Sequence, residues 1–159
     1  MTSAPLLDRA GIAARLPHAG AMCLLDAVLA WAPQSIHCCA TNQGDLNHPL
    51  RLNGPAGYLP AASAIEYAAQ ATALHAALLA GPDAPPRPGF LASARRVALH
   101  VARLDDQPGA LHVHAQCTAA AADQAVYEFQ LHNDAGAALA EGRLSVVLNG
   151  RLRASEAAQ

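Results

Sequence analysis

The sequence contains no lysine; every one of its ten formally basic residues is an arginine. Those arginines are scattered singly apart from the pair Arg95–Arg96, aromatic residues make up 4% of the chain, and the net charge is −2. A nucleic-acid surface needs clustered cations with aromatics among them, so nucleic acid is not an expected partner. Charge of either sign is also scarce, 14% against 53% hydrophobic, but alanine supplies much of the apolar content. The main apolar stretch carries Glu66, Gln70, Thr72 and His75 at its centre, which argues against a membrane span. The N-terminal run MTSAPLLDRAGIAARLPHAG lacks a basic start followed by a continuous apolar segment, so no signal peptide is expected. The cysteines are Cys23, Cys38, Cys39 and Cys117. Cys38 and Cys39 are neighbours on a predicted strand and point to opposite faces, so the expectation is reduced thiols in a cytoplasmic protein.

What the sequence does have is one dominant stretch, Tyr58–Ala80. It reads as a single apolar helix, opened by Pro60 and closed by Gly81–Pro82. Proline suits a first helical turn, where its missing N–H costs nothing, and Gly then Pro stops a helix. Ala and Leu occupy every face, so the helix is expected to be buried. Between Arg51 and Asp83 the one formally charged side chain is Glu66, with Gln70 one turn further on the same face. A carboxylate inside a buried helix is costly unless it has a partner or a chemical task.

Around this helix the chain reads as strands. Residues 4–16 form a predicted short helix with Ser3 as N-cap. A first strand is expected around Cys23–Trp31 and a second over Ser35–Asn42, with a turn at Ala32–Gln34 between them. Residues 44–57 are a polar loop, and 81–89 a stiff Pro-rich connection. Then Val97, Leu99 and Val101 alternate with smaller or polar residues. Leu111, Val113, Ala115 and Cys117 alternate with His112, His114, Gln116 and Thr118. Tyr127, Phe129 and Leu131 alternate likewise, and Leu144, Val146 and Leu148 close the sheet, with turns at 105–109 and 133–136. Period-two patterning with short turns indicates antiparallel strands with one buried face. A strongly curved sheet could wrap such a helix, leaving apolar surface for a second subunit. At 159 residues one domain is expected over 1–149, with a loose tail over 150–159.

Three stretches together with this order resemble the 3-hydroxyacyl-[acyl carrier protein] dehydratase family: LPHAGAMCLLDAV (16–28), LPAASAIEYAAQA (59–71) and RRVALHVARLDDQPGALHVHAQ (95–116). More narrowly, NHPLRLNGPAGYLPAASAIEYAAQA is similar to divergent dehydratase-like proteins associated with aryl-polyene pigment synthesis. The resemblance implies an α+β hotdog fold, a curved antiparallel sheet wrapped around one long central helix. It also implies dehydration of 3-hydroxyacyl chains on acyl carrier protein, and a homodimer or a heterodimer with another hotdog protein. No cofactor or metal is expected. The family's catalytic histidine stands eight residues before the helix-starting proline, where this chain has Leu52; His48, twelve residues before Pro60, is the nearest candidate.

Such a reaction removes a weakly acidic proton from C2, which suits an imidazole base, and expels hydroxide from C3, which suits a buried carboxyl. The expected roles are His48 as base, Glu66 as acid or water holder and Gln70 as its orienting neighbour. The amides of Ala61 and Ala62, at the helix start, would hold the thioester oxygen. The resemblance places the His and Glu on different subunits. His18 is read as structural, His75 as lying on the opposite helical face from Glu66, and His112 and His114 as an outward polar face. Two alternatives stand beside the dehydratase: a hotdog thioesterase, and a non-catalytic acyl-binding or partner subunit of a heteromeric dehydratase.

Overall fold

The computed structural model describes residues 4–16, 20–54, 56–85 and 89–147. Six strands form one antiparallel sheet: β1 (Ala27–Ala32), β2 (Ser35–Ala40), β3 (Phe90–Leu99), β4 (Leu111–Ala120), β5 (Gln124–Asn133) and β6 (Ala138–Val147), in the spatial order β1-β2-β4-β5-β6-β3. A short helix α1 (Arg9–Ala13) precedes them, and the long helix α2 (Ala64–Ala80) lies between β2 and β3 in the chain. This is the hotdog architecture: one helix held in the curve of one sheet.

Alternation dictates which side chains meet the helix. Leu111, Val113 and Ala115 on β4, Tyr127, Phe129 and Leu131 on β5, and Ile36 and Cys38 on β2 are all buried. They share a core with Ala64, Tyr67, Ala68, Ala71 and Leu74 of α2. Alanine along α2 lets the sheet approach closely, and burial of the larger side chains contributes roughly 1.5–3 kcal/mol each. Cys38 is buried while Cys39 faces outward, and all four cysteines are free thiols. No helix among the described residues is long and apolar enough to cross a membrane.

The ends of several elements differ from expectation. The first helix is shorter, beginning at Arg9, because Asp8 caps it: its carboxylate accepts the Gly11 N–H at 2.9 Å. The expected cap, Ser3, lies outside the described residues, as do His18, Leu148 and the tail. Strand β1 starts at Ala27 rather than Cys23, because the preceding residues serve α2 instead: the Leu24 N–H donates to Gln70. Strand β3 starts at Phe90, well before the alternation that begins at Val97. Two register shifts against β6, and Arg96 at φ 53°, interrupt its period, so the pattern is not visible in the sequence.

Candidate active site at the start of the central helix

Pro60, in extended conformation, is the N-cap of a tight turn over Ala61–Ser63 that runs directly into α2. The segment after β3 stitches this start in place. The Leu104 N–H donates to the Leu59 carbonyl at 2.9 Å, and the Ala61 N–H to the Ala102 carbonyl at 3.1 Å. Asp105 ties the same point from below. One of its oxygens accepts the Leu59 N–H at 3.1 Å, and its carboxylate pairs with Arg51 at 3.3 Å and with Arg103. The Arg103 hydrogen bond holds the Asp105 carboxyl far below the ordinary carboxylate range.

One expectation is corrected by this geometry. The Ala61 amide is not free to bind a thioester oxygen, because the returning chain supplies it with a carbonyl. Ala62 is exposed, and among the described residues its N–H has no hydrogen-bond partner outside its own turn.

Glu66 occupies the first turn of α2 and is half-buried. Gln70, one turn on, donates from its amide nitrogen to Glu66 Oε1 at 3.1 Å. The same amide is itself fixed. Its nitrogen donates to the Met22 carbonyl at 2.7 Å, its oxygen accepts the Leu24 N–H at 2.9 Å, and the residue is 1% exposed. The carboxylate is therefore oriented by a side chain that cannot rotate without breaking two backbone contacts.

His48 is 5% exposed and meets the helix at Tyr67, the residue after Glu66. Its Nδ1 accepts the Leu50 N–H at 3.1 Å, so Nε2 carries the proton and donates to the Tyr67 hydroxyl at 2.9 Å. That hydroxyl in turn donates to Asn42 Oδ1 at 2.7 Å. Burial lowers the His48 pKa and keeps the ring neutral. Tyr67 follows Glu66 directly, and consecutive helical residues point about 100° apart. The structure thus joins Gln70 to Glu66 and turns His48 to Tyr67 on the adjoining face. Sequence reasoning missed Tyr67 and Asn42. A polar pair bracketing a buried histidine has no fixed spacing, so no local signal announces it.

His75 is fully buried on the other side of the helix, with Nδ1 accepting from the Tyr127 hydroxyl and Nε2 donating to the Ala32 carbonyl, both at 2.8 Å. It braces α2 against the sheet, apart from Glu66. The helical face that carries Glu66 and Gln70 continues through Ala73, Ala77 and Ala80. Those three alanines line a cavity of about 330 Å³ between the end of α1 and the end of α2. Glu66 therefore lies on the helical face that leads, two turns on, to this cavity, which Arg15 and Leu16 also line.

Comparison with known proteins bears on the family and the fold. The family model described as ApeP-like, ApeP dehydratase, matches residues 10–156. No functionally curated protein matches the sequence. Among solved structures, the dehydratase heterocomplex ApeI:P from Xenorhabdus doucetiae is similar at 24% identity, over 88% of this chain and 91% of that one, with a TM-score of 0.77. AziG from S. sahachiroi is similar at 16% identity over 79% and 90% of the two chains, TM-score 0.57. Zebrafish thioesterase superfamily member 2 is similar at 16% identity over 87% and 93%, TM-score 0.56. At these identities the three structures establish the shared fold.

Proposed function

The chain belongs to the ApeP-like dehydratase family, whose model spans residues 10–156, and from that premise we propose that it takes part in dehydrating 3-hydroxyacyl thioesters to the trans-2-enoyl form. The acyl chain would be carried on acyl carrier protein, in fatty-acid-like or aryl-polyene-like synthesis. The observation that carries this reading is the Glu66 carboxylate, held by an immobilised Gln70 on the helical face that leads to an alanine-rich cavity. Glu66 protonates or holds the departing hydroxyl at C3. The Ala62 N–H, at the positive end of the helix, is the remaining amide for the thioester oxygen. The acyl tail follows the Ala73–Ala77–Ala80 face.

The base is the open half of the mechanism. In a homodimer His48 from the second subunit would serve, after its bond to Tyr67 opens. The engagement of both His48 nitrogens favours a second reading, in which this chain is one half of a hotdog heterodimer and the partner brings the imidazole. That the similar ApeI:P structure is a heterocomplex supports the same reading.

One experiment tests both. The purified protein is incubated with a 3-hydroxyacyl-carrier substrate, alone and with a companion hotdog dehydratase, while enoyl product and free thiol are followed. Enoyl formation that falls about 100-fold or more in Glu66→Gln is the expected result. Turnover by the chain alone selects the homodimer; turnover only in the mixture selects the heterodimer. Release of thiol in place of enoyl product would reassign the protein to thioester hydrolysis.

A further inference from the structure

Away from Glu66, a dense group of titratable side chains lies on the outer face of the sheet. His37 on β2, His112 and His114 on β4, and His132 on β5 all occupy positions that alternate with buried ones. The strand register sets His37 opposite His114 and His112 opposite His132. These two pairs stack with ring centroids 3.9 and 5.0 Å apart. His114 also stacks on His132 at 4.8 Å, and His37 tilts against His112 at 5.2 Å. The four rings close into a quartet spanning three adjacent strands.

Hydrogen bonding in the quartet suits neutral rings. His112 Nε2 donates to Asp134 Oδ1 at 2.6 Å, which leaves its Nδ1 to accept from His37 Nε2 at 3.0 Å. Two further carboxylates share a groove with the quartet. Glu128 pairs with Arg143 at 3.1 Å, and Glu141 lies 3.9 Å from His100. Glu128, Glu141, Arg143, Arg96 and Trp31 border an open groove of about 790 Å³ that also touches His37, His114 and His132. Asp26, beyond Cys39 on β2, accepts the Thr41 N–H and pairs with Arg9. Asp134 is therefore the carboxylate in contact with the quartet. Among the described residues no three donors are placed to hold a metal ion.

We propose that the quartet is a proton-operated latch: neutral, it stacks and clamps β2, β4 and β5; protonated, its opposed rings repel and the sheet loosens where it holds α2. Like charges directly opposite on neighbouring strands destabilise their pairing. Burial first, then the neighbouring imidazoles, lowers the His37 pKa to about 4, and burial likewise lowers those of His114 and His132. The folded-state values lie below the unfolded value, so the unfolded chain binds more protons between about pH 6.5 and 4. The latch is closed above that window, and its stabilisation is lost as pH falls through it.

The test compares wild type with the double variant His37→Gln, His114→Gln by chemical denaturation from pH 7.5 to 4.5, in chelator. The wild-type folding constant should fall about 10- to 100-fold more than the variant's, once solvent screening is allowed for. A parallel decline in the two proteins overturns the proposal. NMR titration of the wild-type His37 ring gives a readout that does not depend on the variant folding. Titration below about pH 5 supports the latch, and titration near the ordinary value of 6.5 overturns it.

Discussion

Gln70 makes three hydrogen bonds from one buried amide, and only one of them is to the acid it orients. Its replacement by alanine would therefore show twice. Loss of the Leu24 and Met22 contacts leaves buried backbone groups unpaired, at a cost of about 1–3 kcal/mol by urea denaturation. If Glu66 acts as proposed, loss of its contact should lower kcat at unchanged substrate affinity, because a misdirected carboxylate fails in the transition state alone. The Glu66–Gln70 pair was legible in the sequence, since four-residue spacing on a helix fixes the contact. The state of His48 was not. Its meaning depends on Tyr67, Asn42 and Leu50, which are brought together by tertiary folding. Tyr67→Phe removes the hydroxyl between His48 and Asn42, leaves the buried His48 N–H unpaired, and should cost about 1–3 kcal/mol in denaturant titration. An increase in the turnover of the isolated chain by that variant would show that the Tyr67 bond restrains a functional base.

At the scale of the element, α2 is the best-marked feature of the sequence, because Pro60 and Gly81 punctuate it and alanine fills its length. Strands β4 and β5 were equally plain from their alternation. What the sequence concealed is how the helix start is anchored. The Ala61 amide meets the Ala102 carbonyl, and Asp105 gathers Leu59, Arg51 and Arg103, all through the return of the chain after β3. No local pattern distinguishes an aspartate that ends in such a clamp from one in an ordinary turn. Its carboxyl is held below its unfolded value, so the clamp contributes stability above about pH 4 and loses it as pH falls further. Asp105→Asn should accordingly be less stable than wild type at neutral pH, and the gap should close toward pH 2. Thermal unfolding monitored by circular dichroism across that range checks it. A constant gap would place the aspartate's contribution in packing instead of charge.

For the whole molecule, the two edges of the sheet are treated differently. The outer edge of β1 is partly covered by the N-terminal segment, where the Leu6 N–H donates to the Val28 carbonyl at 2.8 Å and the Val28 N–H to the Leu7 carbonyl at 2.9 Å. Strand β3 ends the sheet on the other side, and among the described residues no strand pairs with its outer edge. Phe90, Leu91 and Leu99 on this strand are each more than 40% exposed. A ten-residue edge with apolar side chains is an open template for another strand, and a protein that keeps one needs something to cover it. Its two register shifts bend the strand without ending it. A second hotdog chain pairing along β3 would satisfy the free backbone groups and bury these side chains. Leu91→Asp places a charge in the exposed apolar part of that edge, near the start of β3, while leaving the core untouched. The expected outcome in analytical ultracentrifugation is a shift from dimer toward monomer, with loss of dehydration in the same samples. A variant that stays paired, or an active monomer, would mean that this edge is not where the subunits meet.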